Sequence, residues 1–389
     1  MKNKKGMGIY IHIPFCVCKC VYCDFLSAPA DESVKEAYVN ALTEEIRLTA
    51  DCLKELEKDY RIDTIFIGGG TPTTIKPEYI VNILAELKNG FFISSNAEIT
   101  IECNPGTLTK EKAECYRKAG INRISFGLQS ADNQELKMLG RIHTLEQFRE
   151  SFCIARNAGF DNINIDIMSA LPGQTFESFQ HTVETVVGFQ PEHISAYSLI
   201  LEEGTRLYER QEEYPPFPDE DTERKMYDYV CRELSTAGYQ QYEISNFAKE
   251  NAVCRHNLSY WERKDYLGFG IGAASLFEEC RYANTQDIQE YIKKLEGSAP
   301  MLSAIRKDKI SLSIEEQMEE YMFLGLRKIA GISPKEFAEL FHTDIESVYG
   351  EVLKKNVQYG LLQMQNDRIA LTRHGIDVSN VVMADFLLT

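Results

Sequence analysis

The chain has 389 residues, 44% of them hydrophobic and 26% charged, which is typical of a folded protein large enough for two domains. Its formal charge of −17 argues against nucleic acid or an anionic membrane as partner, because such binding needs a basic surface. No apolar run reaches the roughly 20 residues that span a bilayer, and the apolar stretch after the basic start is too short for a signal peptide. We therefore expect a cytoplasmic protein.

The first half of the chain repeats one unit: a short β-branched run, a polar loop and a longer helical segment. Strands that alternate with helices predict parallel pairing through right-handed crossovers. Six such units, with no obvious strand that returns to close the sheet, favour an α/β fold in the form of a partial (β/α)6 barrel. The alternative is an open doubly wound sheet. The predicted strands are 9–13, 64–67, 98–102, 123–127, 162–167 and 193–198. The predicted helices are 33–49, 77–87, 109–119, 145–158 and 176–187.

Beyond residue 200 this rhythm changes. Residues 296–300 (EGSAP) have the composition of a linker, and residues 360–372 resemble a pair of strands at the end of an otherwise helical segment. That last segment resembles a winged helix, for which the acidic composition favours docking over DNA binding. The sequence thus predicts three parts: a barrel core at 1–200, an extension at 201–298 and a small α-rich, winged-helix-like domain at 301–389.

The first predicted strand runs directly into a cysteine cluster. Cys16, Cys20 and Cys23 have the spacing CxxxCxxC, with Cys18 between them. Three thiolates from one loop can hold a [4Fe–4S] cluster and leave one iron open. The alternative is a structural zinc site with Cys18 as the fourth ligand, but zinc sites usually draw on two separated cysteine pairs. The spacing favours iron and sulfur.

Later strands also end in residues suited to a ligand, at the edge where parallel α/β folds place their active sites. The GGGTPT segment (68–73) allows close approach to its backbone and lacks the lysine of a P-loop. Glu102, Gln129, Arg141 and Asp166 suit a small zwitterionic ligand that bears a ribose. Two of them, Glu102 and Asp166, lie in apolar strands, where an unpaired charge is costly.

These motifs resemble the radical S-adenosylmethionine (SAM) superfamily, and within it the family of oxygen-independent coproporphyrinogen III oxidases and their heme-chaperone relatives, the HemN/HemW family. The motifs are YIHIPFC, GGGTPT, IECNP, RISFGLQS, LGRIH and ALPGQT, and they extend over most of the chain. Family enzymes reduce the cluster and cleave SAM to a radical that abstracts hydrogen. The resemblance implies that Cys16, Cys20 and Cys23 bind a [4Fe–4S] cluster. It also implies a SAM site formed by Tyr10, Tyr22, Gly69, Gly70, Thr71, Glu102, Gln129, Arg141 and Asp166.

Two features favour the heme-chaperone branch. Asp24 and Phe25 follow the last cysteine, where the oxidase pattern has Gly-Cys. The HNLSYW segment (256–261) matches a motif that this branch links to heme. By that resemblance His256, Asn257, Tyr260 and Trp261 contact heme, with His256 or Cys254 as iron ligand. Without the resemblance, His256 reads as an ordinary structural histidine.

The resemblance therefore implies a heme chaperone that carries a [4Fe–4S] cluster and SAM and is not a true coproporphyrinogen III dehydrogenase. Its expected partners are heme, heme-accepting apoproteins such as membrane-associated respiratory enzymes, and a reductant for the cluster, with no nucleic acid. The first alternative is an oxygen-independent coproporphyrinogen III oxidase. The second is a zinc-stabilised interaction protein.

Overall fold

A computed structural model describes residues 4–297 and 300–388. The predicted alternation of strands and helices is confirmed, and β1 to β6 pair in parallel in chain order. The elements are β1 (Lys5–Ile13), α1 (Glu32–Glu55), β2 (Tyr60–Gly69), α2 (Pro77–Gly90), β3 (Phe92–Cys103), α3 (Lys110–Ala119), β4 (Arg123–Gln129), α4 (Asn133–Met138), α5 (Leu145–Asn157), β5 (Ile163–Ser169), α6 (Phe176–Gly188) and β6 (His193–Ser198).

Local signals set the ends of the helices. Thr109, Thr144 and Thr175 each accept a hydrogen bond from a backbone N–H in the first turn of α3, α5 and α6, which satisfies a donor that the helix leaves free. Helix α3 ends at Gly120, whose φ of 104° lies in the left-handed region that glycine adopts easily.

The strands of the barrel have two chemically different faces, because successive side chains alternate across a strand. Isoleucines such as Ile11, Ile67 and Ile165 are fully buried in the main hydrophobic core, together with helix side chains. The other face carries polar side chains that meet across strands. Asn164 of β5, for example, accepts from the imidazole of His193 on β6 over 2.6 Å. The polar face is the surface from which a ligand site can be built.

The extension does not form a separate unit. The sheet has twelve strands in the order β12-β11-β10-β9-β1-β2-β3-β4-β5-β6-β8-β7, and β9 pairs in parallel with β1. Strand β12 lies past the domain boundary that the sequence predicts at 301, so the main sheet includes part of the chain assigned there to the last domain. The elements are α7 (Arg206–Glu209), α8 (Glu220–Thr236), β7 (Gln240–Gln241), β8 (Asn246–Ala248), α9 (Arg255–Trp261), β9 (Tyr266–Phe269), β10 (Ala274–Phe277), β11 (Cys280–Asn284), α10 (Ile288–Leu295) and β12 (Arg306–Ser311).

The C-terminal part has its own core, which includes Phe337, Tyr349 and Phe386. Its helices and hairpin have the order of a winged helix: α11 (Ile314–Gly325), α12 (Pro334–Phe341), α13 (Ile345–Gln358), β13 (Leu362–Gln365), β14 (Arg368–Leu371), α14 (Arg373–Asp377) and α15 (Ser379–Ala384). Of the predicted linker at 296–300, residues 298 and 299 lie outside the described residues, as does residue 389. In the described ranges, no helix combines the length and apolar character needed to cross a membrane.

Candidate cofactor site

A cavity of about 340 Å³ opens where the carboxyl ends of β1 to β6 meet the cysteine loop. Parallel α/β sheets place their active sites at this edge. The cavity brings together all the residues that the sequence predicts for the cluster and SAM, with the exception of Tyr10. They are Cys16, Cys20, Tyr22, Cys23, Gly69, Gly70, Thr71, Glu102, Gln129, Arg141 and Asp166.

The cysteine loop is fixed at its two ends. Backbone hydrogen bonds run from Cys16 N–H to the Ala28 carbonyl (3.2 Å) and from Ala28 N–H to the Pro14 carbonyl (3.0 Å). Inside the loop, Nε2 of His12 lies 2.8 Å from the Leu26 carbonyl. A carbonyl only accepts, so Nε2 is the donor. These contacts close the loop around the end of β1.

The three cysteines differ from Cys18. The Cys16 Sγ lies 3.5 Å from the Thr71 hydroxyl, and Cys20 Sγ accepts from Arg141 over 3.6 Å. Burial raises the pKa of the Cys23 thiol. Cys18 is exposed, and its thiol donates only to the neighbouring Lys19 carbonyl. Cys18 also lines the cavity, but it is the most exposed of the four thiols, and the other three match the donor set of a cluster with an open corner.

Two buried carboxyl groups lie opposite the cysteines. Glu102 accepts a hydrogen bond of 3.0 Å from the Gly69 N–H. Burial, together with the charge of Asp166, raises the pKa of Glu102 to about 8. Burial also raises the pKa of Asp166, although Asn164 donates to it over 2.7 Å. Neither carboxyl group has an ion-pair partner in residues 4–297 and 300–388, so both are available to a cationic or hydroxyl-bearing ligand.

Arg141 supplies a positive charge at the site, in addition to Lys19 of the cysteine loop. Its guanidinium donates to the Gly127 carbonyl and, over 2.8 Å, to Asn104. Asn104 in turn donates to the Thr71 hydroxyl over 2.7 Å. These bonds hold a group suited to a carboxylate at the cavity wall. Gln129 ends β4 with a φ of 73°, which turns the chain at the cavity edge.

Sequence reasoning missed several polar residues of the cavity wall. Tyr197 donates to the Gln129 side chain over 3.2 Å. Asn104 belongs to the IECNP motif, of which the sequence predicts only Glu102 as a site residue. Asn246 is 8% exposed, and its Oδ1 has no hydrogen-bond partner among the described residues. Its position on β8, a strand of the extension, gives no local sequence signal. The other lining residues outside the predicted cluster and SAM sites are Cys18, Lys19, Phe25, Cys103, Ser125, Gly127, Ser195 and Asn257.

Tyr10 does not line the cavity. Its hydroxyl donates to Nδ1 of His12 over 3.1 Å, on the inner face of β1. The predicted contact between Tyr10 and SAM therefore stays a prediction. In this structure the tyrosine supports His12 and, through it, the cysteine loop.

The HNLSYW segment forms α9, which packs inside the curve of the sheet. His256 is 1% exposed, and its two ring nitrogens are each 2.8 Å from a hydroxyl, Nδ1 from Thr64 and Nε2 from Tyr260. The ring also stacks on Phe66 at 5.3 Å between centroids. Burial and the charge of Arg123 lower the pKa of His256 to about 3, so the ring is neutral.

The predicted role of His256 as heme ligand stays a prediction, and its buried position does not support it. Iron ligation would break one of two buried hydrogen bonds and open the interior beneath the cavity. The same holds for Cys254, which is buried, with its thiol directed to Glu98. His256 and Tyr260 lie one turn apart on α9 and hydrogen-bond to each other. Asn257 is the residue of the segment that reaches the cavity.

Trp261 at the end of α9 faces the C-terminal domain. The Arg327 guanidinium stacks on its ring, 4.4 Å from the ring centroid. At its start, α9 is held by Glu98, which accepts from the backbone N–H groups of Arg255 and His256 over 3.0 and 3.1 Å. A carboxylate at this end of a helix is favourable. The segment thus forms the floor of the cavity and links it to the last domain.

The cysteine thiols border a cavity and do not enclose a single metal position. In the described part of the chain, no three His, Cys, Asp or Glu side chains converge on one metal position. The three thiols instead border a cavity large enough for a polynuclear group and a small ligand.

Comparison with known proteins agrees with this geometry. The model of the radical SAM superfamily matches residues 10–186, and the model of the HemN C-terminal domain matches residues 312–378. The chain belongs to the radical SAM superfamily. Membership implies a [4Fe–4S] cluster and SAM as cofactors.

Relatives that match over their full length define the family within the radical SAM superfamily. The chain is 38% identical to the heme chaperone HemW of Bacillus subtilis over 97% of this chain and 98% of the relative. It is 36% identical to the heme chaperone HemW of Lactococcus lactis over 99% and 98%. The chain is a member of the HemN/HemW family. The solved structure of coproporphyrinogen III oxidase (HemN) from Escherichia coli superposes with a TM-score of 0.84 at 22% sequence identity. The superposition includes 99% of this chain and 90% of the oxidase chain, which shows a shared fold.

Proposed function

We propose that this protein is a heme chaperone that carries a [4Fe–4S] cluster and SAM and transfers heme to acceptor proteins. The observation that carries the proposal is the full-length similarity to proteins named heme chaperone HemW. Asp24 and Phe25, which replace the Gly-Cys of the oxidase pattern, support the same branch. The acceptors and the reductant are proposed by class: heme-requiring apoproteins, including membrane-associated respiratory enzymes, and an electron donor in the cytoplasm.

Cys16, Cys20 and Cys23 are the proposed cluster ligands, and the cavity beside them is the proposed SAM site. When bound, the cluster supplies an iron with an open position and an electron. Arg141 offers its guanidinium to a carboxylate. Glu102 and Asp166 offer carboxyl oxygens to ammonium or ribose hydroxyl groups.

The remaining residues of the site control water and protons. Gly69 donates its N–H to Glu102 and keeps that carboxyl group oriented while its proton is held at neutral pH. The α9 helix contributes Asn257 to the floor of the cavity. A site that limits the access of water protects a reduced cluster from side reactions.

Heme titration of the anaerobically reconstituted protein, followed by transfer to an apo-acceptor, tests the proposal. We expect one heme bound per chain and released when the acceptor is added. Retention of all heme by this protein in the presence of excess acceptor would contradict a chaperone role. Incubation with coproporphyrinogen III and SAM serves as the parallel assay, and catalytic protoporphyrinogen formation would favour the oxidase instead.

Iron and acid-labile sulfide analysis of the same preparation tests the cluster. We expect about four iron and four sulfide per chain, as in a [4Fe–4S] centre. Stoichiometric zinc without sulfide would favour the zinc-stabilised interaction protein.

A further inference from the structure

A second cavity lies beside the cofactor site, between the barrel and the C-terminal domain. Its volume is about 590 Å³, within the range of roughly 300–1,000 Å³ typical of sites for organic ligands. One wall is formed by the end of β6, the segment after it and α8, and the other by α14 and α15. We call this cavity the interdomain cleft. None of the residues predicted from the sequence for a cofactor or for heme lines it.

The lining of the interdomain cleft combines polar and charged side chains with an aliphatic surface, part of which is open to solvent. Ile200 is 68% exposed on the barrel side, and Val381 is 65% exposed on the opposite side. Ile244, Ile376 and Val378 extend the aliphatic surface, and Tyr197 and Tyr227 add aromatic rings. Two facing apolar walls with exposed isoleucine and valine suit a flat apolar molecule, because its binding removes both from water.

Arg327 gives the interdomain cleft a positive group for an anionic ligand. No carboxylate of the described residues forms an ion pair with it, and its Nε lacks a hydrogen-bond partner among them. Trp261 fixes the guanidinium from one side at 4.4 Å. The acids Glu220 and Asp377 are already paired, with Arg224 (3.1 Å) and Arg373 (2.6 Å). Glu223, in the first turn of α8, is the remaining acid of the lining.

We propose that the interdomain cleft is the heme site, with the macrocycle between the Ile200 and Val381 walls and a propionate on Arg327. The proposal rests on the proposed function. It commits to heme because this cargo is flat, apolar and dianionic, which matches the two walls and the guanidinium. No His, Cys or Met of the described residues lines the cleft, so the macrocycle and not the iron provides the binding energy.

The cleft and the cofactor cavity share one side chain, Tyr197. Its hydroxyl donates to Gln129 in the cofactor cavity, while its neighbours Ala196 and Ser198 line the cleft. Trp261 supplies the second connection, because it ends the helix that forms the floor of the cofactor cavity and supports Arg327. The HNLSYW segment thus affects heme binding through Trp261 and Arg327 without contact between His256 and iron.

The experiment is a titration of the reconstituted protein with heme and with metal-free protoporphyrin IX. We expect both to bind with similar affinity, because the iron is not ligated by the protein. Ile200→Asp and Val381→Asp are each expected to weaken both ligands about tenfold or more, since a charge replaces apolar contact area. Leu340→Asp is the matched control: Leu340 is 62% exposed in the same domain, does not line the cleft, and should change affinity less than about twofold.

The role of Arg327 is tested with the dimethyl ester of protoporphyrin IX, which lacks free propionates. The wild type should prefer the diacid by about tenfold, Arg327→Gln should remove the preference, and Arg327→Lys should restore part of it. Undiminished heme binding in both Asp variants, or binding of heme without protoporphyrin IX, would overturn the cleft as the site and leave the chaperone function standing. Absence of heme binding by the wild type would instead overturn the proposed function itself. Before heme is added, the iron content of the reconstituted protein should be the same in all variants and in the wild type.

Discussion

His256→Ala is the substitution that best separates a structural role of the HNLSYW segment from a ligand role. The side chain is 1% exposed and bridges Thr64 and Tyr260 with two hydrogen bonds of 2.8 Å. Its removal leaves both hydroxyls without a partner, at about 1–3 kcal/mol each, and adds a cavity beside Phe66. We therefore expect a loss of about 3–6 kcal/mol, a large part of the roughly 5–15 kcal/mol by which domains are stable.

The assay is urea unfolding followed by the fluorescence of Trp261, the only tryptophan of the chain, which lies at the end of the same helix. The exposed His181 provides a control, because His181→Ala should change stability by less than about 0.5 kcal/mol. A pH series adds a second readout. With its pKa lowered to about 3, folded His256 stays neutral while the unfolded chain takes up a proton below about pH 6.5, so this residue reduces stability as pH falls from 6.5 toward 3.

The pH-dependent loss amounts to about 1.4 kcal/mol per pH unit for one proton and should be absent in His256→Ala. The reasoning would be refuted by a variant that unfolds at the same urea concentration as the wild type but no longer binds heme. That result would show that His256 is an accessible heme ligand in solution and that its two buried hydrogen bonds do not stabilise the fold.

Three further outcomes are expected. Glu102→Gln should abolish SAM binding in equilibrium dialysis and yet stabilise the cofactor-free chain. The pKa of Glu102 is about 8 in the folded chain and 4.5 in the unfolded chain, so this residue reduces stability by about 1.4 kcal/mol per pH unit as pH rises between these values. Equal urea midpoints for variant and wild type at pH 8 would contradict this. Cys18→Ser should retain the iron and sulfide of the wild type while Cys20→Ser loses them; iron loss in Cys18→Ser would reopen the ligand assignment. Gly70→Ala should lower cluster content, since a Cβ there would lie 2.8 Å from the Phe15 carbonyl, and full iron incorporation would show that the loop tolerates displacement.

The sequence predicted the barrel strands well because their signals are local. Short β-branched runs mark β1 to β6, and the residues just after them line the cavity. It could not predict that β9 pairs with β1, since more than 200 residues separate the partners. The burial of His256 has the same origin: its hydrogen-bond partner Thr64 comes from β2, and no pattern near residue 256 indicates it. Asn246 escaped notice for the same reason.

The position of α9 inside the sheet has a consequence for how the protein is made. When a ribosome has synthesised residues 1–200, all three cluster cysteines and both cavity carboxylates exist, but the floor of the cavity does not. Glu98 and Thr64 have no helix to hold, and the outer edge of β1 has no β9 to pair with until residue 269 has emerged. An iron–sulfur donor that met the nascent chain would find cysteines over an open, water-filled sheet. We therefore expect cofactor insertion to follow completion of the chain.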